Sequence, residues 1–306
     1  MLRHARNEKI GAAAFIAALF CSALPLSGQI RNQLTTPSGP PLPRGGRAAA
    51  FDSSSAPIVT VIANAASDVV GPIAPGEIVT VYGSGLGPAQ LTSLSSLTAG
   101  VVATQLAGTQ VFFNGNPAPI LYTWGSAVSA VVPYEITGAA AQVTVTYLGQ
   151  TSTAITVPVV PAAPAIFVWG ALASGEGQAL AVNPGGSINS TYNPAPIGSV
   201  VTLYATGEGQ TSPPGADGKV AASPAPQPIL PVTVSIGGQT ITPLYAGGVP
   251  GEIAGVMQIN VRIPTNSIQG SAVPISLQVG SASSQTGVAI AITGNPELFG
   301  DEATTP

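Results

Sequence analysis

One strand is spelled twice in this chain. Glu77-Ile78-Val79-Thr80-Val81-Tyr82-Gly83-Ser84-Gly85 resembles Ser199-Val200-Val201-Thr202-Leu203-Tyr204-Ala205-Thr206-Gly207, at an offset of 122. The run from Val111 to Tyr122 resembles the run from Val234 to Tyr245, at an offset of 123. Val131-Val132-Pro133 matches Arg262-Ile263-Pro264, and Val143 to Gly149 matches Pro274 to Gly280, both at an offset of 131. The growing offset places insertions in the second half, mainly around Gly248–Ala254. A repeat of this size restricts the fold to two similar units built from similar elements.

Those elements read as strands. Val232-Thr233-Val234-Ser235-Ile236 and Ile275-Ser276-Leu277-Gln278-Val279 alternate apolar and polar residues. Period-two alternation sends one set of side chains into a core and the other toward water. The 37 glycines and 30 prolines punctuate the chain too often for an amphipathic helix. Short strands bounded by turn residues, repeated over about 100 residues per copy, predict an all-β chain of two β-sandwiches in tandem. The expected first sandwich is 57–160. The second is 161–294, reached through Val160-Pro161-Ala162-Ala163-Pro164 and opened by a lead-in segment over 166–196.

Pro75-Gly76-Glu77-Ile78-Val79-Thr80-Val81-Tyr82-Gly83-Ser84-Gly85-Leu86-Gly87 resembles the opening signature of IPT/TIG domains, which are immunoglobulin-like. Val111 to Gly115, Val131-Val132-Pro133 and Val143 to Val157 resemble the later elements of that family. The whole of 58–293 is similar to a tandem module at the C-termini of many secreted acidobacterial proteins. Asn64-Ala65-Ala66-Ser67, Pro117 to Tyr122, Tyr204 to Gln210 and Gln258-Ile259-Asn260-Val261 carry that similarity. The resemblance implies two immunoglobulin-like (IPT/TIG-type) sandwiches and no assigned activity. The first half departs from the pattern, with Ala127-Val128-Ser129 where a Gln-Ile-Asn-like segment is expected.

The N-terminus has a different texture. Arg3, Arg6 and Lys9 precede an apolar run from Gly11 to Leu26, and Ser27-Gly28 supplies small residues. Residues 1–28 read as a secretory signal peptide. The apolar run falls short of the about 20 residues a membrane span needs, so no stable span is expected after cleavage. Residues 29–56 are rich in Pro, Gly and Ser without apolar period and read as a disordered linker. Residues 295–306 form an acidic tail. The expected location is secreted or in the cell envelope.

Composition then removes most chemistry. The only His and the only Cys are His4 and Cys21, both inside the expected signal. Removing Arg3, Arg6, Lys9 and Glu8 reduces the eight basic residues to five and the twelve acidic ones to eleven, a net charge of about −6. Ser-His-Asp and Cys-His catalysis then lack a base or nucleophile. Zinc, haem and iron–sulfur ligation lack their usual ligands, so no cofactor and no metal are expected. Nucleic-acid binding lacks a basic patch.

Few constellations remain. Gly175-Glu176-Gly177-Gln178 and Gly207-Glu208-Gly209-Gln210 are near-identical tetrads. The reading adopted is loop structure. The alternatives are a calcium ion near Glu208 and Asp217, or a glycosidase pair of Glu176 and Glu208. Tyr82 corresponds to Tyr204 and Tyr122 to Tyr245, which suggests packing roles. Trp124 and Trp169 have no repeat partner. The reading adopted for them is a plug between the sandwiches, which would bury Ile166, Phe167, Val168 and Trp169 together; the alternative makes Trp124 and Trp169 the candidate ligand-binding residues. The expected function is a non-catalytic adhesion, interaction or assembly protein, with a protein or a cell-surface glycan as partner. The alternative is a carbohydrate-binding module.

Overall fold

The computed structural model describes residues 55–94, 97, 100–169 and 175–294. The expected signal, the linker up to residue 54 and the tail lie outside them. The described residues form strands and turns without a helix. The chain is all-β with immunoglobulin-like sandwich architecture.

In the first half one sheet runs in the order Ile58–Asn64, Ile78–Ser84, Ala127–Val131, Ile120–Trp124, Thr92–Ser93, with every neighbouring pair antiparallel. The facing sheet runs Ile155–Pro158, Ala140–Tyr147, Thr109–Phe113, Asn116–Pro117. Alternation does what it predicts: Ala141, Val143 and Val145 on one strand and Val111 and Phe113 on the next enter a shared core. The core is closed from the other sheet by Val79, Val81, Val128 and Ala130.

The second half repeats this plan. One sheet runs Ala165–Ile166, Val200–Thr206, Met257–Arg262, Tyr245–Gly248. The facing sheet holds Val288–Thr293, Gly270–Val279, Val232–Ile236 and Gln239–Ile241 in that order, extended by the short lead-in strands Gly177–Ala179 and Val168–Trp169. Leu203, Ile259, Val234, Ile236, Leu277 and Ile290 are among its core. The register repeats as well. Ile78 faces Val131 and Thr80 faces Ser129; Val200 faces Arg262 and Thr202 faces Asn260. Hairpins repeat too: Asn114-Gly115 and Gly237-Gly238 each take two consecutive positive φ values, which restricts such turns to Gly or Asn.

A third apolar cluster joins the halves. Ile78, Leu121, Tyr122 and Val131 come from the first half; Phe167, Leu180, Tyr204, Ile253 and Val256 come from the second. This explains an oddity of the strand Ile78–Ser84, whose first four residues are all buried. Val79 and Val81 face their own core, while Ile78 faces the seam. A strand covered on both sides reads as a continuous apolar run.

The connector is part of that seam. Gly207 and Gly209 have φ values of +84° and +78°, and a Cβ on them would stand 2.0 Å from the Ala163 carbonyl oxygen and 1.9 Å from that of Pro161. The Ala163 N–H donates to the Gly207 carbonyl at 2.9 Å. Only glycine lets the two backbones approach this closely. The insertion expected around Gly248–Ala254 also lands here, where Ile253 is buried in the seam.

The plug differs from the expectation. Ile166, Phe167 and Val168 are buried, but Trp169 is 40% exposed. Ile166 and Val168 share one face and enter the second core, while Phe167 faces the seam. Trp169, at the end of a two-residue edge strand, lies past the seam and meets solvent.

Candidate functional site

Two buried carboxyls stand among the polar groups of the seam. Glu77 sits just before the strand Ile78–Ser84, and Glu208 just after its repeat equivalent Val200–Thr206. The two strands meet by opposite ends: the Ile78 N–H donates to Thr206 Oγ1 at 2.8 Å, and Thr206 Oγ1 donates to the Gly255 carbonyl at 2.7 Å. This contact brings Glu77 and Glu208 into one buried neighbourhood.

Glu77 accepts from Asn64 Nδ2 at 2.8 Å and from the Ala74 N–H at 2.7 Å. Asn64 Nδ2 also reaches the Ala163 carbonyl at 3.1 Å, tying the connector to the same network. Burial pushes the Glu77 carboxyl up to about 8; the two donors lower it and Glu208 raises it further. Burial pushes Glu208 up to about 7, opposed by its own backbone N–H. Glu208 Oε2 is buried with no hydrogen-bond partner. Both acids stand only 1% and 3% exposed, so ionising either one places a charge in an apolar seam.

Around them, Tyr134 is held well above its ordinary range by burial, then by Glu208 and Asp217. Its backbone N–H donates to Asp217 Oδ1 at 2.8 Å, and its carbonyl accepts from Gln210 Nε2 at 2.6 Å. The tetrad Gly207 to Gln210 is therefore a clamp across the seam. The other tetrad is placed differently. A Cβ on Gly175 would stand 2.0 Å from the Ser67 carbonyl oxygen, and Glu176 is exposed beside Gly287. The charge of Glu208 raises both Glu77 and Tyr134. Among the described residues no group of three or more His, Cys, Asp or Glu side chains is placed to hold a metal ion.

A groove of 520 Å³ opens beside the seam. Asn64, Ser67, Glu77, the connector and the turn Ser281 to Gln285 line it. Gln285 binds both backbone groups of Ile166, accepting at 3.0 Å and donating at 2.6 Å, and so fixes that wall.

The two tryptophans lie in separate places. Trp124 is half-buried, packs against the seam cluster and stacks on Tyr122 with centroids 5.5 Å apart. Its Nε1 donates to Ser126 Oγ. Trp169 is exposed at the edge of the second half, opposite Gln178. Repeat-equivalent tyrosines also diverge: Tyr122 and Tyr204 are buried, whereas Tyr82 and Tyr245 are half-buried. Sequence reasoning paired Glu208 with Glu176 and missed Glu77. The one available signal was that Glu77 and Glu208 bracket the two copies of the repeated strand.

No family model matches this chain, and no curated protein matches it. Similar solved structures include SGBP-B from the Bacteroides ovatus mixed-linkage glucan utilization locus, in complex with a mixed-linkage heptasaccharide. It is 12% identical over 73% of this chain and 43% of that chain, with a TM-score of 0.30. Gamma-CGTase from alkalophilic Bacillus clarkii is 14% identical over 80% of this chain and 28% of its own, with a TM-score of 0.25. The I9–I11 tandem from titin is 12% identical over 78% of this chain and 66% of its own, with a TM-score of 0.21. This chain thus spans less than half the length of the first two.

Proposed function

We propose that the protein is a secreted or envelope-located, non-catalytic unit for adhesion or assembly. In this reading two IPT/TIG-type sandwiches, 57–160 and 161–294, follow a cleaved leader (1–28) and a linker (29–56). Its sequence pattern resembles the tandem module of secreted acidobacterial proteins. The observation that carries this reading is the seam. Its polar groups serve the junction: Asn64, held by Glu77, reaches the Ala163 carbonyl, Thr206 bridges Ile78 and Gly255, and Gln210 holds Tyr134. A junction built this way fixes the relative orientation of two binding or display surfaces. Affinity purification from the secreted fraction, followed by identification of co-purifying proteins, tests the reading. Capture of a partner by the folded chain supports it; turnover of a polysaccharide or peptide substrate would overturn it.

A carbohydrate-binding role is the second reading, favoured by the exposure of Trp169 beside Gln178. An exposed indole offers a flat apolar face to a sugar ring. A glycan array with the wild type and Trp169→Ala decides it: binding lost in the variant supports this role, and an empty array removes it.

A further inference from the structure

The seam joins two unlike faces. The first half offers the strand Ile120–Trp124, through Leu121 and Tyr122. The second half offers Val182 and Tyr204, with Ile188 packed beside them. Because the halves are repeats, each face has an equivalent in the other half. Tyr122 faces Ser129 and Tyr245 faces Asn260, so Leu121 corresponds to Leu244. Ala63 bridges Val70 as Val182 bridges Ile188, and Ala63 faces Thr80 as Val182 faces Thr202, so Val70 corresponds to Ile188.

The equivalents are bare. Leu121 is 2% exposed in the seam, but Leu244 is 62% exposed. Ile188 is half-buried against the seam cluster, but Val70 is 59% exposed, with Val69 beside it at 52%. Leu244 lies on a groove of 410 Å³ whose other wall is Gln227 to Val232, including Ile229, itself 64% exposed. One face of each type is therefore used inside the chain, and one of each type is left open.

We propose that the open faces bind each other between molecules. The Val69–Val70 edge of one chain docks on the Leu244–Ile229 groove of another molecule of the same chain. Continuity with the seam chooses the occupant, since what covers the equivalent strand in the first half is a repeat unit of this same protein. The contact joins unlike patches, so each molecule keeps one free donor face and one free acceptor face. Such an association continues head to tail instead of stopping at a two-fold dimer. The few charges of 57–294 favour it, because little like-charge repulsion opposes apolar contact. The proposal deepens the assembly reading by naming its partner.

Sedimentation velocity of the full chain over a wide concentration range tests it. Species larger than a dimer should grow with concentration. Val70→Asp and Leu244→Asp each remove one face at an exposed position and should each be monomeric. An equimolar mixture of the two variants retains one intact face of each type and should form a heterodimer and nothing larger. A wild type that stays monomeric at every concentration overturns the proposal, as does association that survives in both variants, or a mixture that stays monomeric. A monomeric wild type would leave the wider adhesion role standing if a different protein were still captured from the secreted fraction.

Discussion

The backbone N–H of Ile78 is capped by the side-chain hydroxyl of Thr206, 128 residues away, at 2.8 Å. The first residue of a strand in one half is thus satisfied by the last residue of the equivalent strand in the other. Thr206→Val keeps the shape and removes the hydroxyl. It strands a buried donor on Ile78 and a buried acceptor on Gly255. A loss of about 1–3 kcal/mol is expected in urea unfolding. Thr202→Val, on the same strand but bonded to Asn260 Oδ1 and only half-buried, should cost less. Equal effects would mean that the seam bond contributes nothing special.

Gly207→Ala should damage the protein far more than Gly149→Ala. Both have positive φ, +84° and +83°, so both lose roughly 1 kcal/mol or more from backbone strain. Nothing lies within 4 Å of a Cβ on Gly149, whereas a Cβ on Gly207 overlaps the Ala163 carbonyl at 2.0 Å. Thermal melts of the two variants check this. A matching drop would show that the connector yields easily.

Phe167→Ala removes a fully covered ring from the seam and should cost on the order of 3–5 kcal/mol. It should also broaden the size distribution in small-angle scattering. Trp169→Ala, which trims an exposed ring, should change stability by less than about 1 kcal/mol and leave the scattering as it is. If Trp169→Ala were the one that loosened the pair, the assignment of the plug to Phe167 would fail.

Stability should fall as pH rises from about 4.5 to about 8. Glu77, Glu208 and Glu252 have folded values raised to about 8, 7 and 7 by burial. A carboxyl raised on folding binds its proton more tightly in the native state. Its contribution is complete below the unfolded value, declines through the window between the two values, and then levels off. The slope is about 1.4 kcal/mol per pH unit for each group that titrates alone. Asp217, also raised by burial, adds in the same direction. Chemical denaturation at several pH values measures the curve, and Glu208→Gln should flatten it. A rise in stability between pH 5 and 8 would contradict the burial of these acids.

What could be read from residues was whatever depends on local pattern. Ala140–Tyr147 alternates in sequence and alternates in burial. Offsets of 122 and 131 become the shared register of Thr80 with Ser129 and Thr202 with Asn260. The seam was only half legible. A buried stretch after Pro164 could be foreseen, but the choice between Phe167 and Trp169 depends on where the second half ends its contact, which no local rule fixes. Glu208 was grouped with Glu176 by identical neighbours. Spelling cannot reveal that one tetrad buries its glutamate beside the connector while the other leaves its glutamate exposed. That Glu208 influences Glu77 follows from how two sheets are docked, a long-range property.

The shared apolar cluster also sets a schedule for synthesis. Ile78, Leu121, Tyr122 and Val131 are made early, while their covering residues extend from Phe167 to Val256. At roughly 5–20 residues per second, that cover arrives about 2 to 25 seconds after Val131. During that interval a completed first half carries a bare oily face in a region almost devoid of repelling charge. A nascent chain in that state invites clumping with its neighbours.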